Sequence, residues 1–228
     1  MPTMTKADRV SADILRKIVR GDLVTGALLP KAEVLAEDYG VNRGVVREAL
    51  KSLEVQNLVQ TRKRRGTEVL DPASSFSPEV LRAMLMPDDD ESKRIDLDVL
   101  EDFLDIRAAL DVQMASLAAA NRTEEDIVSL RACLGEVRAS QDDEDRYTEA
   151  IDAVLVTIAK ATGNRIFPML LRWHTRVQAD LGDLLLAVRK AGPGHVQGIE
   201  LLVALIIAQD GAAITTLLSR FHTWATPQ

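Results

Sequence analysis

Apolar positions along this chain fall mostly at helical spacing, with one interruption that reads as a hairpin. From Ala7 to Arg20, Val10, Ile14, Ile18 and Val19 predict a first helix, with Gly21 placed to end it. Thr25 to Pro30 reads as a turn followed by a short extended piece. Lys31 to Tyr39 carries Val34, Leu35 and Ala36 and predicts a second, short helix stopped by Gly40 at positive φ. Asn42 to Gln56 predicts a third helix. Val46, Leu50 and Leu53 line one side, and Arg43 and Arg47, with Lys51 a turn further, line another. Asn42 is a suitable N-cap. Leu58–Thr61 and Thr67–Leu70 then read as two short strands, with Arg62-Lys63-Arg64-Arg65 and Gly66 at the tip between them.

Asp71 to Pro78 has the composition of a linker. Glu79 to Met86 is a candidate short helix, and Pro87 with the acidic run Asp88–Glu91 marks an exposed loop. From Asp96 onward the spacing is helical throughout. Phe103, Ile106, Leu110, Met114 and Leu117 form one stripe, and Thr123 to Asp126 is a capping box for a helix with Ile127, Leu130, Leu134 and Val137. Ile151, Leu155, Ile158 and Thr162 line another helix stopped near Gly163. Ile166, Leu170, Trp173, Val177, Leu181, Leu184 and Val188 line a long one stopped near Gly192-Pro193-Gly194. Leu201 to Ala208 is apolar all round and is expected to be buried on all sides, and Asp210 is placed to cap the last helix. The fold class is therefore mainly α, with a two-stranded hairpin. The organisation is a module over 1–70, a linker with a possible short helix over 71–95, and an all-helical domain over 96–228.

Composition changes this picture in two ways. The net charge of −7 over 228 residues hides an asymmetry. Residues 1–70 hold 13 Lys/Arg against 9 Asp/Glu, and the remainder holds 15 against 26, so a basic first third precedes an acidic body. That balance suggests a nucleic-acid module joined to something else. Cys133 is the single cysteine, which rules out an intrachain disulfide and fits a reducing compartment. The first residues lack the apolar core of a signal peptide, and the longest apolar run is too short to span a bilayer, so the expectation is a cytoplasmic protein with no membrane contact.

The chemistry is concentrated near the third helix. A helix-turn-helix needs a small residue where its helices cross, a glycine in the turn and an aliphatic facing back; Ala36, Gly40 and Val46 stand at those offsets. A solvated loop needs no run of four cations, whereas a wing lying along phosphates or reaching into a minor groove uses them. Residues 8–70 resemble the winged helix-turn-helix of the GntR family of bacterial regulators. The match rests on Gly21, Gly26, Leu29-Pro30, Leu35-Ala36-Glu37, Gly40-Val41, Arg43, Val46 to Leu50, Leu53-Glu54, Leu58-Val59 and Arg65 to Thr67. The resemblance implies that Arg43 and Arg47 contact DNA and that Gly66 lies near the minor groove. The DNA-facing set is then Lys31, Glu33, Asn42, Arg43, Gly44 and Arg47, with Arg62, Lys63, Arg64, Arg65 and Gly66 on the wing. Glu33 departs from the family, which has a DNA-reading arginine there; its carboxylate either accepts from a cytosine amino group or turns away from the phosphates. Gly44 replaces a larger polar residue and lets the helix approach closely.

The second half resembles the all-helical effector domain of the FadR subfamily, through Arg107 with Leu110-Asp111, Ala118-Ala119, Ile158-Ala159, Ala161 to Asn164, and Asp210. Many members of that subfamily bind a metal through one Asp and three His. The positions matching the first two ligands hold Ile151 and Leu155, or, with a one-residue deletion, Asp152 and Val156. The nearest match to the last two is Glu200 and His222. At least two ligands are missing in either register, so no metal and no cofactor is expected. The branch of the family that responds to fatty acyl-CoA also lacks these ligands, which points to an acyl-CoA or another apolar carboxylate. Leu155 and Val203 would line its cavity, and Arg107, Arg172, Arg176 and His222, with Asp152 nearby, would hold its polar end.

The reading is a DNA-binding regulator, expected to be a repressor, that binds a short inverted repeat as a homodimer under control of a small-molecule effector. The alternative is a helical domain that only dimerises or binds a protein partner. An enzyme would need a nucleophile–base pair, a metal site or a phosphate loop, and the sequence shows no such grouping.

Overall fold

The computed structural model describes residues 4–86, 95–177 and 193–225, with the side chains of 193 and 221–225 outside the description. The chain divides into two compact units, Met1–Val99 and Leu100–Gln228.

In the first unit, α1 (Lys6–Val19) opens on a capping box: Thr5 Oγ1 accepts from Asp8 N–H and Asp8 accepts from Thr5 N–H at 2.9 Å. It ends at Arg20, and Gly21 follows at φ +79°. Its buried side chains Val10, Ile14, Leu15 and Ile18 pack with Ala49 and Leu53 of α3 (Arg43–Val55). Between them α2 (Ala32–Asp38) crosses α3, and Leu35, Ala36 and Val46 form a small buried cluster at the crossing. The turn joining α2 to α3 has Gly40 at φ +60°, and Val41 N–H donates to Ala36 O at 2.9 Å. Ala36 is small because a larger side chain there would hold the two helices apart.

Strands β1 (Val59–Arg62) and β2 (Gly66–Val69) pair antiparallel from Val59↔Val69 to Arg62↔Gly66. This shifts the expected hairpin by one residue. Arg62 ends a strand, and the turn is Lys63–Arg65, with Arg64 at φ 68° and Arg65 N–H donating to Arg62 O at 3.0 Å. The extended piece before α2 lies along the other edge of β2: Leu29 N–H donates to Thr67 O, and Val69 N–H to Ala27 O. The short helix expected at Glu79–Met86 is α4 (Pro78–Leu85), capped by Ser77, and its Val80 and Ala83 join the core that α1 and α3 form.

The second unit is helical: α5 (Leu97–Asn121), α6 (Glu124–Ala139), α7 (Glu144–Ala161), α8 described over 167–177, α9 (Pro193–Ala208) and α10 (Gly211–Ala225). Leu130, Val137, Tyr147, Val154, Ile158, Val203, Ile206 and Ile214 make its core. Thr123 and Asp126 form the expected capping box, Gly163 follows α7 at φ +70°, and Asp210 accepts from Ala213 N–H at 3.0 Å. Arg122, just past α5, donates to the terminal carbonyls of α9: its Nε lies 3.2 Å from Ile206 O and 2.9 Å from Ile207 O. Ile206 O also accepts from Gln209 N–H at 3.2 Å; both carbonyls stand at the negative end of a helix, where a guanidinium is favoured.

Along the α5 stripe Phe103 and Met114 are buried, the inward face continues through Ala115, Ala118 and Ala119, and Ile106 is 65% exposed. One expectation is corrected. Helix α9 is not buried all round: Leu202, Val203 and Ile206 face the core, while Leu201, Ala204 and Ala208 are exposed within the single chain. An apolar sequence therefore did not imply a central helix. The expected core positions Leu181, Leu184 and Val188 and the stop at Gly192 lie outside the described residues.

Candidate DNA-binding surface

Helix α3 is built with one buried face and one open face. Val46 and Leu53 are fully buried, whereas Arg43, Gly44, Arg47 and Lys51 are exposed. Asn42 sets its start, since Asn42 Oδ1 accepts from Val45 N–H at 3.0 Å. A Cβ placed on Gly44 would lie 3.0 Å from that same oxygen, so the glycine and the cap are fitted to each other. The far end of α3 is tied to the hairpin by Glu54, whose carboxylate accepts from Thr61 N–H at 2.9 Å.

The wing cations separate into two kinds. Arg62 lies along its strand and is held by Glu68 at 3.5 Å and by Gln60 at 2.9 Å. Lys63, Arg64 and Arg65 are exposed at the turn. Gly66 has φ +105°, and a side chain there would meet Leu28 at 3.8 Å, so its backbone conformation and not crowding calls for glycine.

Two further contacts were not expected. Glu33, in the first turn of α2, pairs with Arg43, in the first turn of α3, at 3.2 Å. Lys31 is the N-cap residue of α2 and is exposed. Behind the α2–α3 turn, Tyr39 donates to Asp13 at 2.6 Å, which ties α1 to the end of α2, and Lys17, one turn along α1, pairs with Asp13 at 2.9 Å. Burial works to raise the Asp13 carboxyl, but the hydrogen bonds from Tyr39 and Lys17 outweigh it and leave the group below its ordinary value. The Asp13–Tyr39 contact spans 26 positions and has no periodic signature, so sequence patterning had no means of finding it.

The candidate effector residues lie on several helices of the second unit. Arg107 in α5 donates to Asp111 one turn on, at 3.3 Å, and both are half-buried. Asp152 and Leu155 are half-buried on α7, with Leu155 against the core, and Val203 is fully buried in α9. Arg172 and Arg176 are exposed on α8, and the side chain of His222 lies outside the described residues. Sequence patterning also passed over two aromatic contacts: His174 stacks on Phe103 at 5.0 Å, and Tyr147 O–H and His195 Nδ1 are 2.6 Å apart. Among the described residues no three His, Cys, Asp or Glu side chains gather as a metal site, and no helix is long and apolar enough to cross a membrane.

Comparison with known proteins places these features in context. Residues 6–69 match the gntR family of bacterial regulatory proteins and residues 102–222 match the FCD domain. The chain is 32% identical over 184 residues to the Uxu operon transcriptional regulator of Escherichia coli, covering 77% of this chain and 68% of that protein. It is 30% identical over 155 residues to the regulator LutR of Bacillus subtilis, covering 68% and 67%. It is 34% identical over 167 residues to the uncharacterized regulator Rv0494 of Mycobacterium tuberculosis, covering 73% of this chain and 65% of that one. The chain thus spans about two thirds of the length of these relatives. Among solved structures, one described as "Lar controls the expression of the Listeria monocytogenes agr system and mediates virulence" superposes with a TM-score of 0.60 at 17% identity. It covers 99% of this chain and 97% of that one. Escherichia coli McbR/YncC superposes at 0.50 with 19% identity, covering 97% and 95%. At those identities the likeness is one of fold.

Proposed function

Because the chain belongs to the GntR family of bacterial regulatory proteins and carries an FCD domain, we propose that it is a DNA-binding transcriptional regulator that grips an inverted repeat as a homodimer. The carrying observation is α3 itself: its aliphatic side is buried, and Arg43, Arg47 and Lys51 stand exposed on the other, beside a basic turn at Lys63–Arg65. Such a helix suits a major groove, and such a turn suits the flanking backbone or minor groove. Two copies engage one operator when their recognition helices lie about one DNA turn, ~34 Å, apart. Exposed aliphatics on the helical unit, Ile106 and Leu110 on α5 and Met169 on α8, support dimerisation there.

The helical unit is the proposed effector domain, with repression relieved by a small carboxylate-bearing ligand such as an acyl-CoA or organic acid. The half-buried Arg107 is its candidate anchor. A relative is named as the galactonate operon transcriptional repressor of Escherichia coli, which fits an operon-linked repressor role. The close packing of Val203, Ile206 and Ile214 favours a second reading, in which the unit only dimerises. Selection from random duplex DNA followed by gel shift tests the DNA reading: a selected inverted repeat supports it, and retention of full affinity by Arg43→Ala with Arg47→Ala sinks it. Native mass spectrometry of the purified protein separates the two readings of the helical unit, since a retained ligand that alters operator affinity excludes dimerisation alone.

A further inference from the structure

We propose that Glu33 is a positioning residue for Arg43 and thereby sets which base the regulator reads. This rests on the DNA-binding reading above. Glu33 stands in the first turn of α2 and Arg43 at the first position of α3, and Glu33 Oε1 lies 3.2 Å from Arg43 Nη1. Both backbones are fixed. The Leu35–Ala36–Val46 cluster holds the helices together, Val41 N–H donates to Ala36 O, and Asn42 caps α3. The carboxylate is therefore presented from a rigid platform to a long side chain that would otherwise sample many rotamers.

The contact employs one terminal nitrogen of the guanidinium and leaves its Nε–Nη2 edge open. That edge matches the O6/N7 pair of a guanine in the major groove. The carboxylate also makes the spot unfavourable for a phosphate, which steers Arg43 away from backbone contact and toward a base edge. With side-chain exposures of 65% for Arg43 and 45% for Glu33, the pair does little for folding. Its geometry matters for recognition. The competing account is sequestration, in which Glu33 merely neutralises Arg43 and weakens all DNA binding.

The test uses the full chain and the inverted repeat that the wild type selects from a random duplex library. Dissociation constants are measured on that duplex and on single-base-pair variants for wild type, Glu33→Gln, Glu33→Ala, Arg43→Ala and the double variant Glu33→Ala with Arg43→Ala. Positioning predicts that Glu33→Ala loses about tenfold in discrimination at one base pair per half-site. Glu33→Gln falls between it and wild type, and the double variant discriminates no worse than Arg43→Ala alone. Melting temperature stays unchanged, which separates this effect from misfolding. Unchanged discrimination in both Glu33 variants overturns the proposal, as does an equal tightening on every duplex. A wild type that selects no sequence at all removes the DNA reading beneath it, which is a different result.

Discussion

Asn42 shows how much one side chain does at the residue scale. It supplies the acceptor for an otherwise unpaired N–H of α3 and fixes where the recognition helix begins. Asn42→Ala is expected to cost about 1 kcal/mol of stability, read as a lower denaturant midpoint. Asp13 makes a prediction in pH. Its carboxyl is held below its ordinary value of 3.8, so the stability it contributes is fully present above that value and is lost as pH falls through the lower folded one. Asp13→Asn is therefore less stable than wild type near neutrality and shows a shallower decline in urea midpoint below about pH 4. A wild type and variant with parallel pH profiles would show that the Tyr39 and Lys17 contacts do not persist in solution. Lys17 lies one turn from Asp13 on α1, a spacing legible in sequence, but Tyr39 could not be read in advance, because only the fold brings the end of α2 beside α1.

The local signals in the elements were the legible ones. Gly21, Gly40 and Gly163 end their helices at positive φ, and Asn42, Thr123 and Asp210 cap theirs, because each rule involves residues within a turn of one another. Burial was less legible: α9 is as apolar as a central helix yet keeps Leu201 and Ala204 outward, since hydrophobicity records what a side chain tolerates and not what packs on it. The wing is intermediate. Its charge was plain, but its register decided that Arg62 is held along the strand by Glu68 and Gln60 while Lys63, Arg64 and Arg65 stand free of the ladder. Each turn cation that meets a phosphate contributes about 0.9 to the slope of log affinity against log salt. Replacing Lys63, Arg64 and Arg65 by alanine is expected to flatten that slope markedly, and Arg62→Ala is expected to change it less. Equal changes from Arg62 and from any one turn cation would contradict the division.

For the whole molecule, a net basic stretch over the first 70 residues precedes a net acidic remainder, and the basic stretch carries the proposed work on DNA. The chain divides at Val99, and the short helix at Pro78–Leu85, expected between two loops, packs into the core of the first unit, which its linker-like flanks did not reveal. Integrity of the second unit depends on side chains that close helix ends across long sequence distances. Arg122 satisfies carbonyls of α9, and Gln209, at φ 59°, donates to Ala119 O at 2.9 Å. Arg122→Ala is expected to destabilise that unit by about 2 kcal/mol, since charged hydrogen bonds to two carbonyls at the helix end disappear together. Calorimetry of the full chain resolves this as a lowered transition for one unit with the other unmoved.

The same division gives the molecule two natural optical probes. Both tryptophans, Trp173 and Trp224, belong to the second unit, and Tyr39 is the tyrosine of the first. Indole fluorescence therefore follows the helical unit by itself. With Tyr147 of the second unit replaced by Phe, the absorbance and emission of Tyr39, whose phenol is hydrogen-bonded to a carboxylate, follow the winged module. Titrating an effector and an operator in turn against these two signals would show whether a message passes from one unit to the other, with no label attached.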